Sequence, residues 1–137
     1  MVKNLVIAAL IVAALPTAAA SAATLHLKAP KEIERSEKFR AVAFGKAKPE
    51  KAYYLSVLYH DNNQGRCART VEKEVTRNQH YEIFYMRRTR TDAEGRFERR
   101  SKSIFGGEKK ASGKLCGYLT NADGKNKDTV VRRIDFS

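Results

Sequence analysis

"SGKLCGYLTN" (residues 112–121) decides how this chain is folded. On a strand, Cys116 and Tyr118 point to one face, while Leu115, Gly117 and Leu119 point to the other. Apolar groups on both faces mean that both are covered, so the segment belongs in the interior of a sheet. It also carries one of only two cysteines in the chain; the other is Cys67, in "QGRCART" (64–70).

Outward from this stretch the chain reads as strands separated by turn chemistry. "TLHLKAP" (24–30) alternates Leu25 and Leu27 with His26 and Lys28 and stops at Pro30. "KFRAVAFGKA" (38–47) alternates in the same way. "AYYLSVLYH" (52–60), rich in aromatic and β-branched residues, predicts a second interior strand. "YEIFYMRRTR" (81–90) and "RFERRSKSIF" (96–105) flank "DAEG" (92–95), the pattern of a hairpin. "DTVVRRIDFS" (128–137) follows the turn-rich "NADGKNK" (121–127). One segment departs from this period. In "RCARTVEKEVTRNQ" (66–79), Cys67, Val71 and Val75 recur every four residues and predict a short helix crossing between strands. About seven strands, roughly 10–15 residues apart, predict an all-β fold: an immunoglobulin-like or fibronectin-like β-sandwich with one short helix after Cys67.

The first 22 residues stand apart from that fold. Lys3, the apolar run Leu5–Leu15, Pro16 and then "ASA" (20–22) have the layout of a secretory signal peptide, with cleavage after Ala22 or Ala23. The apolar run is well short of the roughly 20 residues that a membrane-spanning helix needs. Its brevity and alanine content are of the bacterial kind. Residues 23–137 then form a single domain, secreted to the envelope or beyond. With 27 Lys and Arg against 15 Asp and Glu, the net charge of +12 favours anionic partners and identifies none. No second apolar segment is long enough to span a membrane.

Export gives the cysteine count its meaning, because paired cysteines persist in oxidising compartments. Catalysis by either thiol requires a base, and His26, His60 and His80 fall into no recognisable signature. A metal site requires two further ligands at finger-like spacing, and the sequence does not supply them. A structural disulfide between Cys67 and Cys116 is the leading reading, with free or intermolecular thiols next and catalysis or metal binding last.

These segments carry a resemblance. "YLSVLYHDNNQGRC" (54–67), the helical "ARTVEKEV" (68–75), "GRF" (95–97) and "GKLCGYL" (113–119) resemble a group of small secreted bacterial proteins, best known from actinobacteria. There the second motif often reads as an aromatic residue followed by Leu-Cys-Ala-Tyr-Leu; here Lys114 and Gly117 replace the aromatic and the alanine. The resemblance spans residues 24–137. It implies a single sandwich domain and Cys67–Cys116 pairing, and it brings no activity and no cofactor.

The remaining feature is charge. "MRRTRTDAEGRFERRSK" (86–102) contains Arg87, Arg88, Arg90, Arg96, Arg99, Arg100 and Lys102. On a hairpin, Arg88 and Arg90 would share one face, as would Arg96, Arg100 and Lys102. That would make a patch suited to phosphate, sulfate or carboxylate groups. The alternative is an ordinary solvated face that keeps the sandwich soluble. "DNNQGRCARTVE" (61–72) echoes a calcium loop, but its glycine falls one place early and Cys67 occupies its interior. No nucleic-acid module accompanies the basic stretch, and export removes the chain from the genome. The sequence therefore points to a non-catalytic binding or structural module, with an anionic envelope or extracellular polymer as its ligand class. The competing reading is a secreted inhibitor or immunity-type protein that binds one protein partner through loops 61–66, 106–113 and 121–127. A small hydrolase or thiol-redox protein ranks last.

Overall fold

The computed structural model describes residues 22–34, 36–60, 66–77, 81–105 and 112–137. The expected leader, the calcium-like loop at 61–65 and most of the loop at 106–113 lie outside the described residues. In chain order the elements are β1 (Thr24–Lys28), β2 (Glu32–Ile33), β3 (Lys38–Phe39), β4 (Val42–Lys46), β5 (Ala52–His60), α1 (Val71–Arg77), β6 (Glu82–Arg90), β7 (Arg96–Arg100), β8 (Ile104–Phe105), β9 (Ser112–Asn121) and β10 (Asn126–Phe136). Seven of these strands, among the described residues, have five residues or more and match the runs expected from sequence. The two-residue β2, β3 and β8 are additions.

The strands build a β-sandwich. A five-stranded sheet runs β2-β10-β9-β5-β6, a three-stranded sheet runs β1-β4-β7, and β3 pairs with β8. β9 lies between β10 and β5, with Cys116 opposite Leu58 on one side and Val131 on the other. The sequence "KLCGYL" thus has the interior place that its two apolar faces require. One face turns Leu115 and Leu119 toward the small sheet, where they meet Leu25, Ala43, Leu55, Val57, Phe97 and Ile134 in the main core. Gly117 shares that face because a methyl group there would press on Leu27 and Val130. Phe39, Tyr59, Phe84 and Phe136 fill one end of the core, with ring centroids 5.6–6.0 Å apart. Each such side chain stabilises the fold by about 1.5–3 kcal/mol through burial.

The two sheets are stitched along one side. β1 lies over β10, and the backbone N–H of Leu25 donates to the Asp128 carboxylate at 2.7 Å. Arg132 of β10 reaches back to the Ala29 carbonyl with both Nε (3.0 Å) and Nη2 (2.6 Å).

β6 and β7 do not form the expected hairpin. The turn itself is present: Asp92 Oδ1 accepts the N–H groups of Glu94 and Arg96, and Gly95 takes a φ of 79° that favours glycine. A Cβ at Gly95 would also collide with the Ala47 carbonyl. Beyond the turn the strands part, β6 pairing with β5 and β7 with β4. The reason lies in the neighbouring connector, which captures the turn. Ala47 N–H donates to Gly95, Glu50 N–H to Asp92, and Thr91 N–H to Lys51. Phe84 and Phe97 then enter the core from opposite sheets, which a flat hairpin does not allow.

α1 covers the outer face of the large sheet. Thr70 caps it, its carbonyl accepting from Glu74 N–H and its hydroxyl from Lys73 N–H. Val71 and Val75, with Met86 of β6, pack on Leu58, Cys116 and Tyr118. Cys67, just before the helix, is joined to Cys116 by the expected disulfide, with the two Cα atoms 5.7 Å apart.

Candidate functional site

Among the described residues two places concentrate chemistry, and only one of them stands out plainly in the sequence. The basic stretch is the visible one. Arg87, Arg88, Arg90, Arg96, Arg99, Arg100 and Lys102 are all exposed. Because β6 and β7 lie in different sheets, the seven do not form one patch. Arg88 borders a small cleft with Ala52, Tyr54 and Asn121. Arg87, opposite Leu55, and Arg100, opposite Val42, lie on strands of different sheets, and Lys102 follows β7.

Arg90, Arg96 and Arg99 do come together. They line an open groove of about 890 Å³ that lies against the exposed face of the small sheet and the β6–β7 turn. Lys46, Asp92 and Glu98 line it too, so cations outnumber carboxylates there. Asp92 is already engaged in capping the turn. Among the described residues, Arg90, Arg96 and Arg99 form no ion pair, and Arg99 Nη1 donates only to its neighbour's carbonyl. On the groove wall His26 of β1 stacks on Phe44 of β4, centroids 5.2 Å apart and planes 26° apart. Phe44 is 38% exposed, so the stack presents an aromatic surface to solvent. This aromatic element was missed. Its signal was His26 and Phe44 on the polar side of two otherwise alternating strands.

The second place is internal. Glu74 has no exposed surface, although it is a carboxylate on a short helix. His60 Nε2 lies 2.9 Å from Glu74 Oε1, and Arg77 Nη2 lies 3.4 Å from Oε2. The Ala68 N–H also donates to Oε2. Lys114, 3% exposed and opposite His60 across the β5–β9 pair, lies in the field of the same carboxylate. Burial lowers the Lys114 pKa from its usual value, Glu74 opposes that shift, and Arg77 and Arg133 add to it. Burial, followed by the charge of Glu74 and a hydrogen bond to it, raises the Tyr118 pKa above its usual value. The Tyr118 hydroxyl donates to the Ala68 carbonyl at 2.9 Å. A buried carboxylate is costly unless its partners and hydrogen bonds are all in place, and here four groups surround it. Cys116 Sγ lies 3.9 Å from Glu74 Oε1, so the disulfide borders this network.

A sequence signal for this second place existed. Glu74 falls three residues after Val71, on the same helical stripe as Cys67, Val71 and Val75. Lys114 and His60 continue the outward alternation of Cys116 and Leu58.

No protein-family model matches the chain, and no curated protein matches it in sequence. Solved structures give distant likenesses. One is a cohesin module from a family 33 glycoside hydrolase of Clostridium perfringens, with 9% identity, 85% of this chain and 97% of that one covered, and a TM-score of 0.47. Another is a sporulation control protein from Bacillus subtilis, with 13% identity, coverages of 85% and 49%, and a TM-score of 0.45. A third is an alkylpurine DNA glycosylase from Pseudomonas fluorescens bound to DNA containing an abasic-site analogue, with 12% identity, coverages of 84% and 30%, and a TM-score of 0.44. Each is a partial likeness of chain path at low sequence identity.

Proposed function

We propose that this protein is an exported, non-catalytic binding module of the bacterial envelope or extracellular space. Its ligand is an anionic polymer held in the groove of the small sheet. The observation that carries this reading is the meeting of Arg90, Arg96 and Arg99, without ion pairs among the described residues, beside the exposed His26–Phe44 stack. Guanidinium groups grip phosphate, sulfate or carboxylate oxygens in bidentate fashion. An aromatic surface beside them accepts the apolar face of a sugar ring, so a charged polysaccharide uses both chemistries. The signal-peptide layout of the first 22 residues and the disulfide support export. Among the described residues no helix is long and apolar enough to cross a membrane.

The test is retention of the mature chain on immobilised heparin, read as the salt concentration at elution. Arg90→Ala, Arg96→Ala and Arg99→Ala combined should lower that concentration well below the value for Lys51→Ala, Lys125→Ala and Lys127→Ala combined. Both triple variants remove the same charge, so equal elution would show that attraction is diffuse and would sink the groove. Retention should also fall steeply with salt, as counterion release requires.

A further inference from the structure

Two ligands that finger-like spacing does not offer Cys67 and Cys116 are offered by the fold. His60 at the end of β5 and Glu74 on the buried side of α1 both reach Cys116. A ring nitrogen of His60, a carboxylate oxygen of Glu74 and Cys116 Sγ lie within 4.8 Å of one another. Cys67 Sγ is held one bond away by Cys116 Sγ. One sulfur, one nitrogen and one oxygen therefore converge beneath the helix, with the second sulfur tethered beside them. We propose that, once the Cys67–Cys116 bond is reduced, these four side chains bind one Zn²⁺ ion. Disulfide and metal are then alternative closures of the same joint between α1 and the large sheet.

The two spacings around Glu74 Oε1 approach what the ion needs. Tetrahedral zinc with bonds of about 2.0–2.3 Å holds its ligand atoms roughly 3.3–3.8 Å apart. The distances from Glu74 Oε1, 2.9 Å to His60 Nε2 and 3.9 Å to Cys116 Sγ, bracket that range. Breaking the S–S bond releases the two sulfurs to the separation the ion needs. The carboxylate is already oriented: Oε2 is engaged by the Ala68 N–H and Arg77, which leaves Oε1 facing His60 and the sulfur. Groups behind the ligands that fix them in this way are a regular part of metal sites. Two thiolates and Glu74 carry one negative charge more than Zn²⁺ neutralises, and the Arg77 guanidinium, 3.4 Å from Glu74 Oε2, balances it. Thiolate and imidazole donors select zinc over magnesium or calcium, which prefer oxygen.

Entry is through Cys67. Cys116 is sealed, whereas Cys67 is half-buried in a groove of about 640 Å³ rimmed by Arg66, Arg69, Lys73 and Arg77. These cations favour an incoming thiolate at Cys67 Sγ. In the exchange a dithiol reductant loses two electrons and two protons and becomes a disulfide. Cys67 and Cys116 gain them as two thiols, and Zn²⁺ binding then displaces the two protons to solvent. Re-oxidation by a disulfide oxidant restores the S–S bond and releases the ion.

The experiment is a Co²⁺ titration of the mature chain, reduced with a phosphine under anaerobic conditions. Expected are one Co²⁺ per chain, a thiolate-to-cobalt charge-transfer band and the strong visible bands of a tetrahedral site. All of these should be abolished by Zn²⁺ and absent from the oxidised chain. Glu74→Gln and His60→Gln, each verified as folded by circular dichroism while oxidised, should weaken the reduced site by at least about tenfold. That floor is set by the losses seen on removing even the groups behind ligands. A missing thiolate band, equal binding by the oxidised chain, or unchanged affinity in both variants overturns the proposal. If reduction unfolds the metal-free chain, Zn²⁺ must restore its sheet signal, because binding is then coupled to folding. A signal that stays lost in excess Zn²⁺ overturns it equally.

Discussion

The two outward faces of this sandwich begin from the same strand alternation and end in opposite states. On the large sheet, Ser56, Leu58, His60, Lys114, Cys116 and Tyr118 are sealed. On the small sheet, His26, Phe44, Lys46, Arg96 and Glu98 remain in solvent. The connections explain the difference. Between β5 and β6 the chain has enough residues to lay a helix across the sheet, whereas the β4–β5 and β6–β7 links are short turns. Charge follows the same division. Under the helix one carboxylate is surrounded by His60, Arg77, Lys114 and a backbone N–H, whereas the groove arginines have no such partner among the described residues. One face therefore holds the fold together, and the other is available to a ligand.

The comparison breaks most sharply at the disulfide. Replacing Cys67 and Cys116 together by serine opens a crosslink with a sequence separation of 49. In the chain-entropy model that lowers stability by about 4 kcal/mol, read as a drop in the urea midpoint. Glu74→Gln comes next. Removing the charge that His60 and Lys114 face should lower stability by about 3 kcal/mol. A variant as stable as the parent would mean that packing alone secures the covered face.

Tyr118→Phe sharpens the contrast through pH. Near neutrality it should cost about 1 kcal/mol for the lost bond to the Ala68 carbonyl. Because the folded-state pKa of Tyr118 is raised, its contribution is full below its ordinary value of 10.0 and declines as pH rises above it. Lys114 acts in the opposite sense: its lowered pKa means that its penalty is relieved as pH climbs toward 10.5. Denaturation series on either side of pH 10 should show the alkaline decline in the parent and a smaller one in Tyr118→Phe. An unchanged slope would exclude the phenol as its source. The smallest effect on stability belongs to the uncovered face. Arg96→Ala and Arg99→Ala should shift stability by no more than about 0.5 kcal/mol while reducing heparin retention. A loss above that in either variant would make these arginines structural and erase the distinction between the faces.

Much of this architecture could be read directly from the residues. The two-faced apolar pattern of 112–121 placed β9 in a sheet interior, and the aromatic run 52–60 did the same for β5, because an interior strand imposes its burial on every position. The short helix was legible from Val71 and Val75. The parting of β6 and β7 was not, since "DAEG" is sound turn chemistry and local signals do not reveal that a second connector will capture it. The burial of Glu74 and Lys114 was hidden for a related reason. Charge marks a residue as surface unless its partners are known, and His60 and Lys114 come from strands remote in sequence. The groove was half legible: its arginines were evident, but which of them meet depended on sheet assignment.

The stitching of β1 to β10 by Asp128 and Arg132 has one more consequence. The captured β6–β7 turn closes the opposite margin in the same way, through Ala47, Glu50 and Lys51. The two sheets are thus clasped along both sides, and the backbone that carries the arginine groove is set before any ligand arrives. A ligand then has side chains to order and no sheet to rearrange.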